Sequence, residues 1–152
     1  RAALERGHAV MAYPGGDYDA NRPFYRSDTI VFAGRKGYVK LAREAGVPIV
    51  PVVSHGAHRS LVMLSDGAWV AERLGLRRRL RLAVFPVALS LPWGLTLRPL
   101  VAYLPARARI TQRVLPPIDA REGSIDDVDR RVRTAMQSAL DTLARERKRG
   151  TR

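Results

Sequence analysis

The chain has 152 residues, 46% of them apolar, enough for one domain with a substantial core. With no cysteine, a disulfide framework and any thiolate metal site are excluded, which suits a reducing compartment. A formal charge of +13 and a pI near 11.3 leave the fold open but favour anionic partners: lipid headgroups, phosphate-bearing cofactors or nucleic acid.

The first residue is Arg1 rather than Met, so a fragment is expected, and residues 1–10 contain no long apolar run of the signal-peptide kind. Ala2-Ala3-Leu4-Glu5-Arg6 reads as the end of a helix with Gly7 as its stop. His8 to Tyr13 is a short apolar run of strand length. Residues 14–34 lack periodicity and are dotted with Gly, Asp, Asn, Pro and Arg; a loop this long in a compact domain points to function or disorder.

Tyr38, Leu41, Ala42 and Ala45 recur at i, i+3, i+4, i+7 and predict a helix from Arg35, capped by Gly46 and prevented from continuing by Pro48. Val47 to Val53 is an unbroken apolar run, the pattern of a strand covered on both faces, although its two prolines count against a central place. A short helix is expected over Ser65–Leu76, leading into the basic stretch Arg73–Arg81 with Arg77, Arg78 and Arg79 at its centre. Leu82 to Leu104 is the most apolar stretch, but Pro86, Pro92, Pro99 and Arg98 argue against a membrane-spanning helix, which needs about 20 uninterrupted apolar residues. Arg109 to Leu115 reads as a strand ended by Pro116-Pro117. Ser124-Ile125-Asp126-Asp127 opens a last helix in capping-box style, with Val128, Val132, Ala135, Met136, Ala139 and Leu143 as its apolar stripe. Helices alternating with strands predict an α/β domain.

Pro14-Gly15-Gly16-Asp17-Tyr18-Asp19 follows directly on the first predicted strand, where ligands bind in open α/β sheets. Two adjacent glycines let backbone amides approach a ligand closely and form an anion-binding concavity; an ordinary tight turn uses the same residues. Arg35 and Lys36 could meet phosphates at a helix N-terminus, or be a solvated helix start. Ser54-His55 is discounted as nucleophile and base because adjacent strand residues point to opposite faces, and His55-x2-His58 lacks a third metal ligand. Trp93 and the arginine cluster could touch an anionic bilayer.

Three blocks in order narrow these readings: Pro14-Gly15-Gly16, then Gly34-Arg35-Lys36-Gly37-Tyr38-Val39-Lys40-Leu41-Ala42, then Gly46-Val47-Pro48-Ile49-Val50-Pro51-Val52. Together they resemble the glycerolipid acyltransferase superfamily, in its monoacylglycerol and diacylglycerol acyltransferase branch. Leu91-Pro92-Trp93-Gly94 and Leu115-Pro116-Pro117-Ile118-Asp119 extend the likeness more weakly.

The resemblance implies a single α/β domain with a central mixed, largely parallel sheet flanked by helices, N-terminally truncated, with residues 1–148 as the C-terminal part of an acyltransferase domain and 149–152 as a basic tail. It implies acyl transfer from acyl-CoA or acyl carrier protein to a hydroxyl of a glycerolipid or related alcohol, without a cofactor. Pro14, Gly15, Gly16, Asp17, Tyr18 and Asp19 would line the acceptor site, and Arg35 and Lys36 the donor site. Arg77, Arg78, Arg79 and Trp93 would meet the cytoplasmic face of an anionic membrane, peripherally; nucleic acid is not an expected partner.

Two departures matter. The family's His-x4-Asp element has no match, since Tyr13, Ser60 and Met63 stand five positions after His8, His55 and His58. No catalytic residue is therefore expected within the chain, the motif is expected upstream, and the segment alone is expected to be inactive. The arginine that phosphate-acceptor enzymes carry after their glycine is also missing: Tyr18 stands there behind Asp17. An acidic residue would repel a glycerol phosphate, which favours a neutral acceptor unless Arg22 or Arg26 reaches the same place. The rival classes are a basic nucleic-acid-binding module, for which no recognition motif is present, and a non-catalytic membrane adaptor with the acyltransferase fold.

Overall fold

The structure, a computed structural model, describes residues 1–16, 19, 23–57, 62–65, 87–90, 94–97 and 108–150. Helix α1 spans Ala2–Glu5, a 3-10 turn Phe24–Arg26, helix α2 Gly37–Ala45 and helix α3 Ile125–Gly150. The strands are β1 Val52–His55, β2 Val62–Ser65, β3 Val87–Ser90, β4 Gly94–Leu97 and β5 Thr111–Val114. β1 pairs with β5, and β3 lies between β2 and β4 in a second sheet. Every strand pairing among the described residues is antiparallel, whereas a largely parallel sheet was expected.

α2 forms where the apolar spacing predicts it, and Gly46 ends it. Gly46 takes a left-handed φ of 66°, its amide donates to Arg43 O at 3.2 Å, and the Val47 amide donates to Ala42 O at 3.0 Å. These two bonds satisfy carbonyls that a helix end otherwise leaves open. The buried face is centred on Val39, fully buried, and Ala42, with Tyr38 half-buried beside them.

The predicted strand at His8–Tyr13 is irregular, and Val10, Met11 and Tyr13 are 45%, 76% and 78% exposed. Apolar content marks a segment able to form a strand; a strand also needs a neighbour's backbone, and none among the described residues pairs with this one.

The apolar run at 47–53 also differs from expectation. Its regular strand begins only at Val52, preceded by an isolated bridge from Ile49 to Ile118 and a bond from the Leu115 amide to Pro51 O at 2.9 Å. Pro51 has no N–H to return, so the ladder breaks there. Among the described residues it has one strand neighbour and α3 on one side, which cover one face: Val53 is buried, while Val52 and its cross-strand partner Val114 are exposed. Ser65 closes β2; the rest of the helix predicted over Ser65–Leu76 lies outside the described residues.

α3 holds both halves of the core. Val128 and Val132 pack with Phe32 and Val39, and Ala139 and Leu143 pack with Val53. Its start is a reciprocal cap: the Asp127 amide donates to Ser124 Oγ at 3.1 Å, and the Ser124 amide donates to Asp127 Oδ2 at 3.1 Å. The Ser124 hydroxyl and amide, with Arg130 alongside, hold the Asp127 carboxyl below its ordinary range. Ser124→Ala should destabilise the fold by about 0.5–2 kcal/mol, read from urea unfolding midpoints. Among the described residues, no helix is long and apolar enough to cross a membrane.

Candidate functional site

Pro14 and the two glycines form a turn closed by the Gly16 amide donating to Tyr13 O at 3.1 Å, with Pro14 at the position that its fixed φ suits. Gly15 is buried, and a Cβ there would collide with the Asp19 side chain and lie 2.5 Å from the Val31 carbonyl oxygen. Gly16 has φ 51°, and a Cβ on it would collide with Arg35 Nη1. Gly15 is thus required by its close approach to backbone, and Gly16 is favoured by its positive φ.

The Arg35 guanidinium comes from the start of α2. Arg35 Nη1 donates to Pro14 O at 3.3 Å and to Gly15 O at 3.2 Å. A tight turn over Phe32–Arg35 aims it: the Arg35 amide donates to Phe32 O at 2.9 Å, and the central Ala33 and Gly34 have φ of 49° and 73°. Positive φ at both central residues is the type I′ signature. The glycine turn and the basic helix start are therefore joined. Lys36 goes elsewhere: its Nζ lies 2.7 Å from Asp126 Oδ1 in the first turn of α3. Asp19 sits under the turn, its amide bonded to Gly16 O at 3.1 Å. Asp17, Tyr18, Arg22, Arg77, Arg78, Arg79 and Trp93 lie outside the described residues.

Behind the site, α2 and α3 are locked by a polar trio. Asp129, 3% exposed, accepts from Tyr38 Oη at 2.9 Å and from Arg133 Nε at 2.8 Å. The Tyr38 ring meets Phe32 edge-on at 5.6 Å. Burial, followed by the bond to Asp129, raises the Tyr38 phenol well above its usual range. A phenol raised in the folded state stabilises fully below its unfolded value and loses that contribution as pH climbs. Wild-type stability should therefore fall above about pH 10, and Tyr38→Phe should flatten that alkaline slope in urea melts. At neutral pH the same variant should be weaker by about 0.5–1.5 kcal/mol.

Sequence reasoning missed a His–Asp approach. His55 Nε2 lies 3.3 Å from Asp28 Oδ1. The Asp28 carbonyl accepts from Gln137 Nε2 at 2.8 Å, and Gln137 Oε1 accepts from the Ile30 amide at 2.9 Å. Strand alternation from buried Val53 places His55 on the inward side, a signal that was available; nothing in the sequence marked Asp28 as its partner. Ser54 faces the other way, accepting from Gln112 Nε2 at 3.1 Å, as strand geometry requires.

A family model described as diacylglycerol acyltransferase matches residues 2–148. The chain belongs to the diacylglycerol acyltransferase family. No curated protein and no solved structure matches it. Of the three blocks, the turn at residues 14–16 and the helix start at Arg35 are the two joined by these bonds.

Proposed function

We propose that the intact enzyme transfers a fatty acyl group from acyl-CoA, or from acyl carrier protein, to the hydroxyl of a neutral acylglycerol or related alcohol. A histidine of a His-x4-Asp element preceding this segment would take the hydroxyl proton while the alkoxide oxygen attacks the thioester carbonyl. The C–S bond then breaks and the thiolate leaves, with no acyl-enzyme formed. Positioning and proton removal supply most of the rate. The observation that supports this reading is the bond pair from Arg35 to Pro14 O and Gly15 O, which makes one unit of two separated blocks in a chain of this family.

On this reading the turn forms the acceptor wall, and Asp17 disfavours a phosphate-bearing acceptor by like charge. The net charge of +13 draws the protein to an anionic membrane, with Arg77, Arg78, Arg79 and Trp93 as the contacts we propose. Incubating the intact enzyme with radiolabelled acyl-CoA and monoacylglycerol, diacylglycerol or lysophosphatidic acid tests the acceptor. Labelled neutral glyceride is the expected product; preferential acylation of lysophosphatidic acid overturns the acceptor assignment. Because the segment holds no cysteine, it adds no background when released CoA thiol is titrated.

A further inference from the structure

We propose that Arg35 is a positioning residue that sets the shape of the Pro14-Gly15-Gly16 turn, rather than a clamp on a donor phosphate; the proposal rests on the acyl-transfer reading. Three observations carry it. Nη1 donates to both Pro14 O and Gly15 O, at 3.3 and 3.2 Å. Gly16 is packed so closely against this guanidinium that a Cβ would strike it. The turn that delivers Arg35 holds a non-glycine residue, Ala33, at φ 49°, a conformation that costs about 1–2 kcal/mol for a residue with a Cβ. Backbone held in a costly conformation beside a site is a reason to look for a positional role.

The peptide geometry says what is positioned. Each peptide unit is planar and trans, so a carbonyl turned toward Arg35 sends the N–H of the following residue the opposite way. The Pro14 carbonyl faces Arg35, and the Gly15 N–H therefore points to the far side of the turn. The Gly15 carbonyl does the same, and the Gly16 N–H meets Tyr13 O at 3.1 Å. The cation thus gathers the carbonyl ends on one side of the turn and leaves the amide ends on the other. Without it, two carbonyl dipoles lose their donor and the turn is free to rotate its peptide planes.

The test compares Arg35→Ala and Arg35→Lys with the parent in the intact enzyme, using acyl-CoA and an acylpantetheine thioester that has no phosphate. The expected result for Arg35→Ala is a fall in kcat on the order of 10–100-fold, alike for both donors, with the KM for acyl-CoA little changed. Amide exchange in the intact enzyme supplies the second readout: the Gly16 amide should exchange faster in Arg35→Ala while the amides of α3 keep their parent rates. A loss confined to the KM for acyl-CoA and absent with acylpantetheine overturns the proposal in favour of a phosphate clamp. Unchanged kcat and unchanged Gly16 exchange overturn it outright. If the parent transfers acyl groups from neither donor, the acyl-transfer reading fails, and faster Gly16 exchange in the variant would still mark Arg35 as the clasp of the turn.

Discussion

Gly15→Ala should lower stability by about 1–3 kcal/mol and abolish most of the acyl transfer, although it adds a single methyl group. The new Cβ would lie 2.5 Å from the Val31 carbonyl oxygen and collide with the Asp19 side chain, so the turn must move away from the loop beneath it. Val31 O belongs to backbone and has little room to yield. A displaced turn also carries its two carbonyls away from Arg35 Nη1, now 3.3 and 3.2 Å from them. A melting temperature close to the parent's combined with full activity would show that the turn does not need this close approach. Differential scanning calorimetry and the radiolabel assay together give the answer.

Leu140→Ala should cost about 2–5 kcal/mol. Leu140 is 2% exposed and is the largest of the fully buried side chains among the described residues. Removing three carbons there leaves a cavity that the surrounding structure fills only in part. Val39→Ala, at a fully buried but smaller residue, should cost less. Guanidinium unfolding midpoints at constant m-value give the ranking, and equal midpoints for the two variants would contradict it.

Leu140 also shows what the sequence could and could not disclose. The stripe Val128, Val132, Ala135, Met136, Ala139, Leu143 was legible from period alone, and of these Val128, Val132, Ala139 and Leu143 are buried. Leu140 and Asp129 lie at the flank of that stripe, each about 100° on from a stripe residue immediately before it, and both are buried as well. The helix is covered over a wider arc because α2 packs against one flank, through Tyr38 and Asp129. A buried aspartate contradicts any hydrophobic template and becomes intelligible only with Tyr38 Oη and Arg133 Nε beside it. Likewise, the capping box at Ser124 and the stop at Gly46 could be read because both are local. The pairing of β1 with β5 could not, because residues Val52 and Val114 meet only through tertiary structure.

The candidate site divides along the same line. Its glycine turn and basic helix start could each be named from residue type and spacing. The bonds that join them could not, since they depend on a positive φ at Ala33, a residue type that seldom adopts one. Lys36 illustrates the converse: a basic residue next to Arg35 in sequence, spent on a surface ion pair with Asp126. Exposed pairs of this kind contribute little.

The stretch from Asp28 to Arg35 belongs to no sheet, yet it is fastened at both ends. One amide side chain, Gln137, grips it through Asp28 O and the Ile30 N–H, and one guanidinium, Arg35, grips the turn at its other end. A ladder would spread such a constraint over every residue of a strand and tie the alignment to all of them. Here two rivets carry the polar part of it, with the His55 contact to Asp28 and the buried Phe32 ring holding the span between them. The exposed side chain of Thr29 can therefore change in chemistry without shifting the glycines, whereas a change at either rivet loosens the whole span.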